Sequence, residues 1–167
     1  GAHDAVLGQF LSFMQEDDSG VFFMFTANNM EKFSPELVDR FEGRFFIDLP
    51  SAGEREEIIT IHLGLRKWNT EDFDLAELVR ATKDFSGRNI EQSIKQAMVI
   101  SMSDGLRPLE QKDLLEVFKT VIPTSKTKKT EIETMRTFVE NGMMQGANDT
   151  VVKQSTGDKP AKLKSFN

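Results

Sequence analysis

A short apolar run rich in aromatic residues constrains the first third of this chain more than any other feature. Residues 22–25, FFMF, follow Gly20 and precede Asn28 and Asn29, which is the pattern of a strand buried in a parallel sheet. In open α/β sheets, ligands bind outside the carboxyl ends of the strands. The sequence therefore predicts a buried strand at 22–25 whose polar end borders a ligand crevice.

Asn28 is the first candidate functional residue, because an amide at such a strand end both donates and accepts hydrogen bonds. The alternative at this point is an Asn-rich turn that satisfies only its own backbone.

The segments that follow make a recognisable series. TANN at 26–29 is followed by PEL at 35–37, DRFEG at 39–43 and FFIDLP at 45–50. This order resembles the second half of the AAA+ ATPase core. The resemblance implies that Asn28 is the sensor 1 residue, which helps to hold the attacking water near the γ-phosphate.

The same resemblance assigns a role to Arg40. It implies an arginine finger that reaches into the neighbouring subunit's site, with Asp39 in place of the family's glycine. Such a residue neutralises charge on the transferred phosphoryl group and is worth roughly 10³ to 10⁵ in rate. A second family arginine falls on Gly43 here, with Arg44 one position away. The alternative for each arginine is a surface ion pair of little energetic weight.

A helix is predicted after Ser51, because acidic residues in the first turn precede an apolar pattern that includes Ile58 and Ile59. It resembles the first helix of the AAA+ lid, in which an isoleucine and a histidine pack against adenine and ribose. These residues correspond to Ile58 and His62, and a spacing of four puts both on one helical face. The alternative, if His62 is considered without the motif, is a surface or half-buried histidine with no role in binding.

A second lid element follows at 84–92, DFSGRNIEQ. Ser86 is the predicted N-cap of a helix, and the element resembles the family's F-S-G-A-D/E-I motif. The resemblance implies that Gly87 and Arg88 bind nucleotide at a helix N-terminus, where backbone amides and the dipole favour phosphate. Arg88 is also a candidate sensor 2 residue, although the usual arginine of other branches falls on Asn89. A solvent-facing arginine is the alternative.

Two expected parts of an ATPase site do not occur in the sequence. There is no G-x-x-x-x-G-K-[ST] loop and no apolar strand that ends in paired acids to hold Mg²⁺. We therefore expect a fragment that begins after the metal-binding strand, and its first residue, Gly1, suggests a cloning scar or an interrupted reading frame. ATP and Mg²⁺ belong to the intact parent, and this chain alone should neither bind ATP tightly nor hydrolyse it.

Composition narrows the other possibilities. The chain has no cysteine and only two histidines, at 3 and 62, so a zinc site is not expected, and a reducing compartment fits, either cytoplasm or chloroplast stroma. No apolar run is long enough to span a bilayer. Net charge is −6 over residues 1–50, −3 over 51–125 and +3 over 126–167, so nucleic-acid binding is not expected of the acidic body.

The predicted fold class is an α/β remnant of a P-loop NTPase core, with one or two parallel strands and helices, followed by an all-α lid of about four helices. The core remnant spans residues 1–50, the lid 51–122, an extra helix 123–142 and a flexible basic tail 143–167. The segment around 121–125 most resembles AAA proteins of unassigned role from cyanobacteria and chloroplast genomes.

The predicted function is that of an AAA+ ATPase, in which a self-associated ring couples ATP binding and hydrolysis to remodelling of an unknown protein client. Two alternatives remain open. One is a stand-alone helical interaction or regulatory module without ATPase activity. The other is a clamp-loader-like or initiator-like protein that acts on DNA, for which the basic tail should give salt-sensitive binding.

Overall fold

The computed structural model describes residues 41–148 together with positions 9, 12, 13, 20, 22–27, 34, 38 and 39. Two compact units divide the chain, Gly1–Arg44 and Phe45–Asn167. Among the described residues, no helix has the length and apolarity needed to cross a membrane. The same residues contain no group of three or more histidine or carboxylate side chains placed to hold a metal ion.

The described part of the first unit contains a chain of aromatic contacts. Phe23 lies between Phe13 and Phe25, with ring centroids 5.9 Å and 6.5 Å apart, and Phe25 meets Phe41 at 5.3 Å. Residues 22–27 form no strand pairing. These contacts join four of the described phenylalanines of this unit.

The prediction of a buried strand at 22–25 is wrong for this structure. Phe22 is 85% exposed and Met24 is 80% exposed. A buried parallel strand needs partner strands on its edges and helices on both faces, and the described residues of this unit provide neither. Asn28 and Arg40 lie outside the described residues, so their assignments stay predictions.

The second unit holds the predicted lid. Its elements in chain order are β1 (Phe45–Phe46), α1 (Ala52–Gly64), a 3₁₀ turn (Thr70–Asp72), α2 (Leu75–Ala81), α3 (Gly87–Ser103), α4 (Gln111–Thr120), α5 (Thr124–Thr127), α6 (Lys129–Glu140) and β2 (Gln145–Gly146). Helices α1 to α4 form an all-helical lid of about four helices, as the fold class predicts. The two short parallel strands and the helical lid confirm the predicted fold class.

Local sequence signals place the starts of the two lid helices that matter most. Ser51 caps α1 in a capping box, since it accepts from the Glu54 amide while the Glu54 carboxylate accepts from the Ser51 amide at 2.7 Å. Ser86 caps α3, as predicted, by accepting from the Asn89 amide at 3.2 Å. Both helices therefore begin where the sequence indicates.

Helices α1 to α4 enclose one apolar core. The helices meet through fully buried aliphatic side chains, and Phe85 packs edge-on against Phe118 at 5.9 Å. The members with no exposed surface are Ile59, Leu63, Leu78, Ile90, Ile94, Ala97 and Leu114. Burying such side chains contributes about 1.5 to 3 kcal/mol each, so this core supplies most of the stability of the lid.

Residues 143–148, which the sequence assigned to a flexible tail, are described in the structure and contact the rest of the second unit. Met144 is buried, and Gln145 and Gly146 pair in parallel with Phe45 and Phe46. The Ala147 amide then donates to the Phe46 carbonyl at 2.9 Å. Residues 145–147 are thus held by backbone hydrogen bonds to a segment about a hundred positions earlier, which the polar composition of the tail did not indicate.

A buried carboxylate fixes the turn that leads into α4. Asp113 accepts two hydrogen bonds of 2.7 Å from the Arg107 guanidinium and one of 2.9 Å from the Glu110 amide. Arg107 also pairs with the exposed Asp104 at 2.6 Å. The hydrogen bonds from Arg107 hold the pKa of Asp113 below its ordinary value of 3.8.

We expect Asp113→Asn to lower the free energy of unfolding at neutral pH by on the order of 1 to 3 kcal/mol, because it removes a charge-assisted pair at a buried site. A carboxylate with a depressed pKa stabilises the fold above its unfolded pKa, and that stabilisation disappears as the pH falls through the folded pKa. The gap between wild type and variant should therefore close below about pH 4. Urea unfolding at several pH values measures it.

Asp104→Asn is the matched control, since Asp104 contacts the same arginine from solvent. It should change stability little at any pH. Equal losses in the two variants would contradict the assignment of the stabilising contact to Asp113.

Candidate functional site

The packing of α1 against the start of α3 brings two of the predicted residues together. A Cβ placed on Gly87 would lie 3.7 Å from Cδ1 of Ile58, which is ordinary van der Waals contact. The half-buried Ile58 of α1 therefore lies beside the position that a side chain on Gly87, in the first turn of α3, would take. The two residues thus lie close together at the N-terminus of α3.

His62 lies one turn after Ile58 on α1 and is half-buried. Nη1 of Arg66 donates to the His62 carbonyl at 2.7 Å and lies 3.3 Å from Nδ1 of its ring. Burial is the main cause that lowers the pKa of His62 from its ordinary 6.5. Arg66 and Lys95 lower it further, while Glu91 acts in the opposite direction.

Charged residues of α3 lie beside this histidine. Lys95 donates to Glu91 at 2.6 Å, and Nη2 of Arg66 is 3.9 Å from the same carboxylate oxygen. The hydrogen bond from Lys95 lowers the pKa of Glu91. The negative charge nearest His62 is therefore already matched by two cations.

The first turn of α3 is tied to α5 through Asn89. The amide oxygen of Asn89 accepts from the Ser86 amide at 3.1 Å, from the Thr124 amide at 3.1 Å and from the Thr124 hydroxyl. The Ser86 and Thr124 hydroxyls lie 2.9 Å apart. The position at which other family branches carry an arginine is thus a structural cap in this chain.

The structure brings Ile58, His62 and Gly87 onto one face where α1 and α3 meet. Arg88, the next residue along α3, is exposed and forms no ion pair with a residue that the structure describes. The nucleotide-binding roles assigned to Ile58, His62, Gly87 and Arg88 remain predictions.

Sequence reasoning missed Arg66, Glu91 and Lys95 as parts of this face. The signal was present as spacing, because His62 and Arg66, and likewise Glu91 and Lys95, are four apart on a helix and share a side of it. Nothing in the sequence showed that the two pairs belong to adjoining helices.

Relatives of known name match most of this chain. An uncharacterised AAA domain-containing protein ycf46 from Guillardia theta is 35% identical over 153 residues, which cover 89% of this chain and 30% of the relative. The protein of the same name from Pyropia yezoensis is 31% identical over 153 residues, or 90% of this chain and 31% of the relative. The chain belongs to the AAA+ family. It corresponds to the C-terminal part of the AAA module, as its sequence resemblance implied.

Other comparisons agree with this placement. The ATP-dependent zinc metalloprotease FtsH from Thermus thermophilus is 32% identical over 109 residues, which cover 64% of this AAA+ chain and 17% of the relative. The crystal structure of the FIGL-1 AAA domain in complex with ADP shares its fold, with a TM-score of 0.53 and 18% identity over 67% of this chain and 41% of that one. No protein-family model matches the chain. The chain spans about a third of the length of the ycf46 relatives.

We expect Asn89→Ala to cost about 1 to 2 kcal/mol of unfolding free energy, because it removes both the side-chain half of the capping box and the bonds to Thr124. Asn69→Ala is the control, since Asn69 caps only the exposed 3₁₀ turn through one bond of 3.2 Å. Thermal unfolding of both variants measures the difference. A larger loss for Asn69→Ala would show that the α3 cap is not the stronger contact.

Proposed function

We propose that this chain carries the nucleotide-responsive lid of an AAA+ ATPase that couples ATP binding and hydrolysis to remodelling of a macromolecular client. The observation that carries the proposal is that Cδ1 of Ile58 lies 3.7 Å from the Cβ position of Gly87, with His62 one turn after Ile58 on the same helix. This arrangement suits the flat, apolar face of an adenine ring better than a charged or bulky ligand.

The glycine is the part of this face that fits a planar ligand. Any larger side chain at Gly87 would occupy the space over Ile58, whereas glycine leaves it open. The adjoining N-terminus of α3 supplies backbone amides and a positive dipole end, which favour ribose hydroxyls or phosphate oxygens. Arg88 in the same turn is exposed and would add a positive charge on the phosphate side.

Arg40 and Asn28 complete the proposal. Bound ATP supplies the phosphoryl group that is transferred to water, and residues elsewhere in the intact protein would hold its Mg²⁺. Within this chain, Asn28 would orient the attacking water, and Arg40 would stabilise the developing negative charge in a neighbouring subunit's site. This assignment implies a ring in which each site is built from two subunits.

We place the protein in the cytoplasm, or in the chloroplast stroma if its gene is plastid-borne.

We expect ADP at millimolar concentration to shift the methyl NMR signals of Ile58 and the ring signals of His62 in the 167-residue chain. Gly87→Leu should weaken the apparent affinity for ADP at least about 10-fold, because the leucine side chain would fill the space beside Ile58 in which the adenine ring is proposed to lie. Its Cβ meets only ordinary contact, so the thermal unfolding temperature should stay close to that of wild type.

Gly53→Leu is the matched control. Gly53 lies in the first turn of α1, as Gly87 does in α3, and a Cβ there meets nothing within 4 Å. It should leave the ADP response intact. No shift at Ile58 and His62, or the same shift in all three proteins, would contradict the nucleotide face and favour the helical interaction module.

The finger assignment has its own test. When this chain is mixed with an intact AAA subunit that has a P-loop and magnesium acids, we expect Arg40→Ala to remove the increase in ATP turnover, by roughly 10³-fold if the finger acts fully. Arg80→Ala is the control, since Arg80 is an exposed arginine of α2 to which no role in nucleotide hydrolysis is assigned. Turnover that is unchanged by Arg40→Ala would rule out the finger.

A further inference from the structure

Arg66 has no part in the assignments above, yet it contacts His62 twice. Its Nη1 donates to the His62 carbonyl at 2.7 Å and faces Nδ1 of the ring at 3.3 Å. A guanidinium carries only hydrogen-bond donors. The ring nitrogen that faces it at 3.3 Å can form a hydrogen bond only as an acceptor, which a neutral imidazole allows when its single proton lies on Nε2.

The surrounding charges favour the neutral ring. A doubly protonated imidazolium would point its Nδ1–H at the guanidinium of Arg66. Among the residues that the structure describes, the carboxylate that acts on His62 is Glu91 on α3, which is hydrogen-bonded to Lys95 at 2.6 Å and lies 3.9 Å from Arg66. Because Glu91 is already paired with two cations, it is poorly placed to stabilise a second proton on the His62 ring.

We propose that Arg66 is a positioning residue that holds His62 as the neutral Nε2–H tautomer, so that His62 presents a hydrogen-bond donor to the ligand of the α1–α3 face. The identity of that ligand as a nucleotide rests on the proposed function, whereas the tautomer does not. The hydrogen bond of 2.7 Å to the carbonyl fixes the guanidinium on the helix, and the ring is oriented in turn.

The tautomer decides whether His62 donates or accepts a hydrogen bond at the α1–α3 face. A neutral ring with its proton on Nε2 donates there and cannot accept. The face would thus select a ligand atom with a free lone pair, such as an unprotonated ring nitrogen or a hydroxyl oxygen of an adenine nucleotide. A ligand that offers only an N–H at this point would leave two donors opposed, and a buried unpaired donor is costly.

The test is a measurement of the ring ¹⁵N chemical shifts of His62 in the 167-residue chain without nucleotide, above the pH at which the ring titrates. His62→Gln assigns the signals, because His3 is the other histidine of the sequence. We expect wild type to show Nε2 protonated and Nδ1 bare. Arg66→Met should shift the ring toward a mixture of tautomers and raise its pKa, because it removes both the donor and a positive charge.

Arg66→Lys should restore much of the wild-type signal, because an ammonium group is also a pure donor. Arg80→Met is the matched control, since Arg80 is an exposed arginine on α2 that is not among the groups acting on His62. It should leave the His62 shifts unchanged. A wild-type ring that carries its proton on Nδ1, or a tautomer unaffected by Arg66→Met, would overturn the proposal.

Addition of ADP separates this inference from the proposed function. A change at Nε2 that is larger than the change at Nδ1 supports the donor role toward a nucleotide. A second outcome is that the tautomer depends on Arg66, but neither ADP nor inorganic phosphate changes the ¹⁵N shifts of the two ring nitrogens. The positioning role of Arg66 would then stand, and the nucleotide role of His62 would be overturned. If ADP shifts the ring in wild type and Arg66→Met alike, with the same tautomer in both, the nucleotide face stands and Arg66 has no positioning role.

Discussion

The fixed conformation of the segment that leads into the lid, residues 46–50, is the constraint on which the second unit depends. Asp48 has a fully buried side chain that accepts from Arg136 at 2.7 and 3.0 Å. Its backbone amide donates to the side chain of Asn148 at 3.1 Å, and Asn148 in turn donates to the Asp48 and Leu49 carbonyls. A buried carboxylate left without these partners would cost several kcal/mol, so α6 and the segment after it are obligatory parts of the fold.

The same segment is held from inside the lid by Arg55. This buried arginine of α1 donates to the Pro50 carbonyl at 3.0 Å and to the Val79 carbonyl of α2 at 3.3 Å. Burial lowers its pKa, which the charge of Asp84 partly offsets. Because α1 begins directly after this segment, the direction of α1 is set before its core residues pack. Ile58 and His62 lie on that helix, so the hydrogen bonds that hold residues 46–50 also position the candidate site.

Several parts of the candidate site were predictable because they depend on local spacing. The i, i+4 relation of Ile58 and His62 and the cap at Ser86 follow from helix geometry alone. The buried strand at 22–25 was not correctly predicted, because burial of an apolar run depends on partner strands and helices that its own sequence cannot show. Asn89 likewise gave no sign of its bonds to Thr124, which lies 35 positions later.

By itself, the sequence determined where helices α1 and α3 begin and to which family the chain belongs, since N-caps and capping boxes involve residues only three apart. Only the tertiary structure decided that residues 145–146 pair with 45–46 and that Arg136 reaches Asp48. A two-residue strand has no periodicity to read, and an ion pair between residues 88 positions apart leaves no local pattern. Such contacts depend on how the core brings the two ends of the unit together, which is the physical reason that sequence patterns alone did not reveal them.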